Sequence, residues 1–186
     1  MVLIVLDGLD ASGKTTQALV LCDSLRISGK TVCLRIHPSD DNFFGAKARQ
    51  FLYSRGKSAH FASAIFYMFD IIRSIFLYSW RRYDYMIFVR YLMGTAYLPS
   101  PFDKIAYYMF ALTVPKSEFM FFLDVNPEEA DRRIRQTRSQ LEMFESFEEL
   151  KKIRYKALSL ALTGNWRIIN ANRSTEYVQK EILRTL

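Results

Sequence analysis

The chain has 186 residues, 50% of them hydrophobic and 24% charged, which is enough apolar material for one sizeable core and excludes an intrinsically disordered protein. Its formal net charge of +7 calls for anionic partners. Much of the basic excess falls on Arg132, Arg133, Arg135 and Arg138, with no aromatic-interleaved basic surface and no helix-turn-helix pattern, so anionic nucleotides are expected and nucleic acid is not.

The first apolar run, Val2 to Leu6, lacks a basic leader and reads as a buried strand rather than a signal peptide. It runs into Gly8-Leu9-Asp10-Ala11-Ser12-Gly13-Lys14-Thr15-Thr16, where Gly8, Gly13, Lys14 and Thr15 fill the fixed positions of G-x-x-x-x-G-K-[ST]. Such a loop surrounds two or three charged phosphates with backbone N–H groups, which glycines at the bends and a following helix N-terminus supply without a side-chain clash. Lys14 would then bridge the β- and γ-phosphates of a nucleoside triphosphate, and Thr15 would ligate Mg²⁺. An ordinary strand-to-helix turn with Lys14 and Thr15 exposed is the plainer alternative, but four fixed positions with the right flanks seldom coincide.

A helix follows, with Ala18, Leu21, Cys22 and Leu25 at helical spacing and Gly29 as its stop. Strands are predicted at Thr31 to Ile36, Tyr85 to Val89, Phe119 to Val125 and Trp166 to Ile169, with helical patterns between them. Cys22 and Cys33 have neither metal nor redox spacing and read as small apolar fillers, which fits a reducing, cytoplasmic setting. The segment Phe61 to Trp80 is apolar enough to raise the question of a membrane, yet it carries Asp70 and Arg73, and two charges there are expensive in lipid. A core or dimer-interface helix with one polar, site-facing edge is expected instead. Asn126 before Pro127, and Ser146 with Glu149, mark helix starts.

Alternating β and α with continuous apolar strands predicts an α/β fold of three layers, a five-stranded parallel sheet flanked by helices, in a single domain over 1–186. In such sheets ligands collect at the carboxyl ends of the strands. The residues to inspect therefore follow Leu6, Ile36, Phe88, Leu123 and Ile169.

The segments Arg35-Ile36-His37-Pro38-Ser39-Asp40-Asp41 and Gly45 to Leu52, then Phe69-Asp70-Ile71-Ile72-Arg73, Arg90-Tyr91, Gly94 to Tyr97, Phe122 to Ala130 and Asn170 to Ser174 follow the loop in order. Together they resemble the thymidylate kinases, a family with the P-loop NTPase fold, across nearly the whole chain. The resemblance implies phosphoryl transfer from ATP, with Mg²⁺, to a nucleoside monophosphate, normally dTMP giving dTDP, by a homodimer. It implies that the ring of Phe69 stacks on the acceptor base, worth roughly 1 to 3 kcal/mol, and that Arg73 reads the edge of the base. It also implies that Arg90 takes the acceptor phosphate as a bidentate partner and that Asp10 positions the acceptor, with Arg35, Arg49 and Tyr97 as further acceptor contacts. Phe69 read as one more core aromatic, and Arg90 as a surface cation, are the plain alternatives.

A lid over about 131–145 follows from the same likeness, with Ala11 after the loop aspartate going with catalytic arginines on the lid, here Arg133 and Arg138. Such an arginine is worth ~10³ to 10⁵ in rate in related chemistry. Asn172 belongs to the loop against the adenine. The chain departs from the family at Val89, where an aspartate is usual. Losing one preorganised polar group at a reacting centre commonly lowers the rate by about 10² to 10³, so a nucleotide-binding homologue with weak or lost transfer, or a kinase for another small molecule, stands as the alternative. Asp124, as a helix-start or metal residue, and Asp7, in place of the usual glutamate, are the carboxylates left to compensate.

Overall fold

A computed structural model of the protein describes residues 1–54, 57–137 and 145–186. The expected lid arginine Arg138, with the rest of 138–144, lies outside the described residues. Five strands, β1 (Val2–Gly8), β2 (Val32–Ile36), β3 (Tyr85–Val89), β4 (Phe119–Asp124) and β5 (Arg167–Asn170), form one sheet in the order β2-β3-β1-β4-β5. Every neighbouring pair is parallel. Among the described residues seven helices accompany them: α1 (Lys14–Ile27), α2 (Phe43–Leu52), α3 (Lys57–Tyr78), α4 (Phe102–Thr113), α5 (Pro127–Thr137), α6 (Phe147–Thr163) and, after the last strand, α7 (Thr175–Leu183), with a 3₁₀ turn at Met93–Tyr97.

The continuous apolar strands predict this arrangement, because a parallel strand is covered on both faces. Ile4, Val5 and Leu6 of β1, Ile87, Phe88 and Val89 of β3 and Phe121, Phe122 and Leu123 of β4 are wholly buried in one core. β1 lies between β3 and β4, so the strand order reverses beside its carboxyl end, which is where an open sheet gathers ligands. Asp7 locks that edge. Its buried carboxylate accepts from the amides of Gly8 (3.0 Å), Tyr91 (2.8 Å) and Met93 (3.0 Å), tying the exit of β3 to the end of β1.

Helix α3, from Ser58 to Tyr78, is long and apolar enough to cross a membrane, with mean hydropathy 1.5. In this fold it packs against α2 and the 3₁₀ turn. Its Asp70 is wholly buried and accepts from the Ser39 amide (2.7 Å), the Ser39 hydroxyl and the Asn42 amide group (2.7 Å), so that it pins the loop between β2 and α2. Asn42 in turn caps α2 by accepting from the amides of Phe44 and Gly45.

Candidate active site

The loop after β1 has the backbone its motif demands. Gly8 (φ 144°) sits so close to β4 that a Cβ there would lie 2.4 Å from the Leu123 carbonyl oxygen, and Gly13 (φ 88°) adopts the left-handed conformation. Gly13 caps α1 without any side-chain hydrogen bond, which leaves the first-turn amides of that helix facing the loop. The buried Lys14 arches back over it. Its ammonium donates to the carbonyls of Gly8 (3.0 Å) and Leu9 (2.5 Å). Thr15 and Thr16, at the helix start, are exposed.

Asp10 joins this loop to the end of β3. Arg90 donates to one carboxylate oxygen from Nη2 (2.7 Å) and Tyr97 donates to the other through its hydroxyl (2.9 Å), while the Lys14 ammonium lies 4.0 Å away. Burial disfavours the charge on Asp10, but Arg90 and Lys14 outweigh it and hold the carboxyl well below the usual range. Arg90 itself has φ 63°, a left-handed backbone that a non-glycine residue adopts at a cost of about 1 to 3 kcal/mol. Such strain collects at functional sites. Here it turns the guanidinium off the strand and onto Asp10, with Nη1 reaching the His37 carbonyl (3.4 Å).

A cavity of about 630 Å³ opens beside these groups, between the loop, α2 and α3. Asp7, Gly8, Asp10, Arg90 and Tyr97 line it, as do Arg49 and Leu52 of α2 and Tyr53 just beyond that helix. Helix α3 contributes His60, Ser63, Ala64 and Tyr67, one face at helical spacing. Thr137, the last described residue of α5, also reaches it. Burial holds the Asp7 carboxyl above its usual range despite its three amide partners.

The structure gathers Gly8, Asp10, Arg49, Arg90 and Tyr97 around one cavity, with Lys14 close to Asp10, and it places several other candidates elsewhere. Phe69 lies off the cavity face of α3, half exposed and packed against the Phe44 ring at 5.5 Å, and Arg73 is likewise not on the cavity wall. Of the polar edge predicted from Asp70 and Arg73, Asp70 holds the β2–α2 loop instead of facing the cavity. Arg35 makes a two-pronged ion pair with Asp41 (2.8 and 2.9 Å) and lies over the Tyr78 ring, so its guanidinium is committed away from the cavity. Arg49 lines the cavity and donates to the Pro38 carbonyl (2.8 Å).

Arg133, on α5, donates to Ala11 in the phosphate loop (3.1 Å) and to Ala171 (3.1 Å), and is oriented by Glu129 (2.7 Å). It thus bridges the phosphate loop and the loop after β5. There, Asn172 accepts from the Asn126 amide and donates to Asn170. Asp124 accepts both prongs of Arg154 (2.7 and 2.8 Å), a positioning role that leaves it little capacity as a metal ligand. Val89 is wholly buried among apolar side chains. His37 is buried too; its Nε2 lies 3.0 Å from Ser74 Oγ, and burial pushes its pKa down to about 4.

The sequence reading missed the cavity face of α3. Its signal was present as His60, Ser63, Ala64 and Tyr67 at i, i+3, i+4 and i+7, but the helix is apolar nearly all round, and no single stripe announces which side faces a ligand.

Comparison with known proteins identifies the family. The family described as "Thymidylate kinase" matches residues 6–182. A probable thymidylate kinase of Pyrococcus abyssi is 28% identical over 97% of this chain and 93% of its own length. One from Sulfolobus acidocaldarius is 26% identical over 97% and 94%. A thymidylate kinase structure from Candida albicans superposes with a TM-score of 0.75 at 19% identity, covering 98% of this chain and 89% of the other, which speaks for the fold. With the phosphate loop, the acidic bridge to the end of β3 and the matched span together, the chain belongs to the thymidylate kinase family of nucleoside monophosphate kinases.

Proposed function

We propose that the protein transfers the γ-phosphoryl group of ATP to dTMP, giving ADP and dTDP. One observation carries the reading: Asp10, inside the phosphate loop, is clamped between Arg90 and Tyr97, and all three line the cavity, so donor and acceptor sites share a wall. Polyphosphate bound on the amides of Gly8 to Thr16 would place its terminal group at that wall. Lys14 would leave its loop carbonyls for the β- and γ-phosphates, and Arg90 would hold the acceptor phosphate in line. Arg49 lines the same cavity for the acceptor.

Charge building on the transferring group needs cations already in place. Lys14 and Arg90 provide them, and Arg133, already in contact with the loop at Ala11, provides a third from α5. Arg138 would add a fourth from the lid. Asn172, beside the loop end held by Arg133, would border the adenine.

The residues present fit Mg²⁺. Thr15, exposed at the start of α1, offers a hydroxyl, and Mg²⁺ keeps several waters and takes its remaining ligands from substrate phosphates. When bound, it would spread the negative charge of the β- and γ-phosphates. Asp7 stands nearby in the cavity wall. Phe69 and Arg73, held off the cavity face, have no part in acceptor binding in this reading, and Arg35 acts through the loop it pins by way of Asp41.

Purified protein with ATP, Mg²⁺ and each nucleoside monophosphate should form ADP only with an accepted monophosphate, dTMP foremost, and Lys14→Ala should abolish it. Silence toward every monophosphate would refute the reading. A nucleotide-binding protein with weak transfer is the second reading, favoured by the burial of Val89 where a carboxylate would otherwise act; it predicts ATP affinity without turnover. A homodimer is supported by the apolar stripe Ile65, Phe69, Ile72 and Phe76 left exposed on α3 and by Ile105, Met109 and Leu112 on α4. Free nucleotides as the only ligands, with neither nucleic acid nor membrane, and a cytoplasmic setting complete the proposal.

A further inference from the structure

Tyr67, on the cavity face of α3, is 8% exposed, and its hydroxyl has no hydrogen-bond partner among the described residues. That is unlike the other deeply buried tyrosines. The Tyr91 hydroxyl donates to the Pro115 carbonyl (2.9 Å), and the Tyr107 hydroxyl accepts from the Trp166 indole (2.8 Å). A buried hydroxyl with no partner is unfavourable, and its persistence calls for an explanation.

The ring packs closely against Gly94. A Cβ on Gly94, in the 3₁₀ turn, would lie 2.3 Å from a Tyr67 ring atom, so the ring occupies the space that only glycine leaves open. Tyr67 lines the cavity together with Asp7 and Arg90, and its hydroxyl feels the charges of both. Burial keeps the phenol protonated, so it is a standing donor. Ser63, one turn earlier on the same face, already donates to the Ala48 carbonyl (3.1 Å).

We propose that Tyr67 is an acceptor-binding residue: its hydroxyl donates to an oxygen of the sugar-phosphate part of the nucleoside monophosphate, beside the phosphate held by Arg90. This rests on the kinase reading above and assigns a contact within the same site. The ligand completes a hydrogen bond that the protein leaves open.

The test is Tyr67→Phe, which keeps the ring and removes the oxygen. Loss of one such bond should raise KM for dTMP about tenfold while KM for ATP stays within about twofold. Removing an unpartnered buried hydroxyl should leave Tm unchanged or higher, whereas a structural hydroxyl would lower it. Equal acceptor KM in the two proteins, or a clear fall in Tm, overturns the assignment and leaves the kinase reading standing. If the unaltered protein neither binds nor phosphorylates any nucleoside monophosphate, the kinase reading falls and the assignment falls with it.

Discussion

Replacing Arg90 probes the joint between the two halves of the site. In Arg90→Ala the Asp10 carboxylate, 7% exposed, keeps only the Tyr97 hydroxyl and a Lys14 ammonium at 4.0 Å. Breaking one partner out of a buried pair costs about 3 to 5 kcal/mol. The Arg90 side chain is 27% exposed, and solvent screening brings the expected loss to about 2 to 3 kcal/mol. For a domain of this size that is a fall in Tm of roughly 4 to 12 °C. Arg90→Gly removes the same charge but relieves the left-handed backbone, so it should melt above Arg90→Ala by the equivalent of about 1 kcal/mol. Adding Asp10→Asn to Arg90→Ala should recover part of the loss, since no buried charge is then left unpaired. Thermal melts of the four proteins, run with acceptor kinetics, read all of this, and kcat/KM should fall by about 10² to 10³ in each Arg90 variant. Melting of Arg90→Ala and Arg90→Gly together with the unaltered protein would refute both the charge and the strain argument.

Because His37 is buried in its neutral form, with its pKa pushed from 6.5 to about 4, the unfolded chain takes up a proton first on acidification. Stability should therefore fall by about 3 kcal/mol as pH drops from roughly 6.5 to 4, and denaturant titrations of His37→Gln should lack that component. Asp124→Asn should lower Tm by weakening the grip of Arg154 on the end of β4, yet leave the Mg²⁺ dependence of turnover unchanged; a shifted Mg²⁺ requirement would make Asp124 a ligand after all. Phe69→Ala should leave acceptor KM within about twofold, since the ring stands off the cavity; a large rise in KM would show that the ring reaches the base.

How legible the site was in the sequence depended on how local its physics is. The phosphate loop could be read completely because glycine backbones, a lysine and a helix start lie within nine consecutive residues. The strands could be read to within one or two residues for a similar reason: parallel strands buried on both faces appear as unbroken apolar runs. Roles that rest on distant packing could not. Whether Phe69 or Tyr67 faces the cavity is decided by how α3 docks on α2 and on Gly94, and a helix apolar on all sides carries no record of that choice. Arg35, just before the end of β2, was expected at the acceptor from the family resemblance; in the structure Asp41, six residues on, pairs with it. Asp7 illustrates the converse: a carboxylate considered for metal work serves first as the acceptor for three amides that set the geometry of the strand ends.

The central claim is that the phosphate loop and the cavity bounded by Arg90 and Tyr67 form one continuous site for two nucleotides. The most direct measurement is a calorimetric titration with a bisubstrate probe in which adenosine and thymidine are joined through their 5′ oxygens by five phosphates. Binding at least about 10² tighter than ATP or dTMP alone, with displacement of both and weakening by Lys14→Ala and by Arg90→Ala, is the predicted result. Competition with ATP only, at the affinity of ATP, would contradict it.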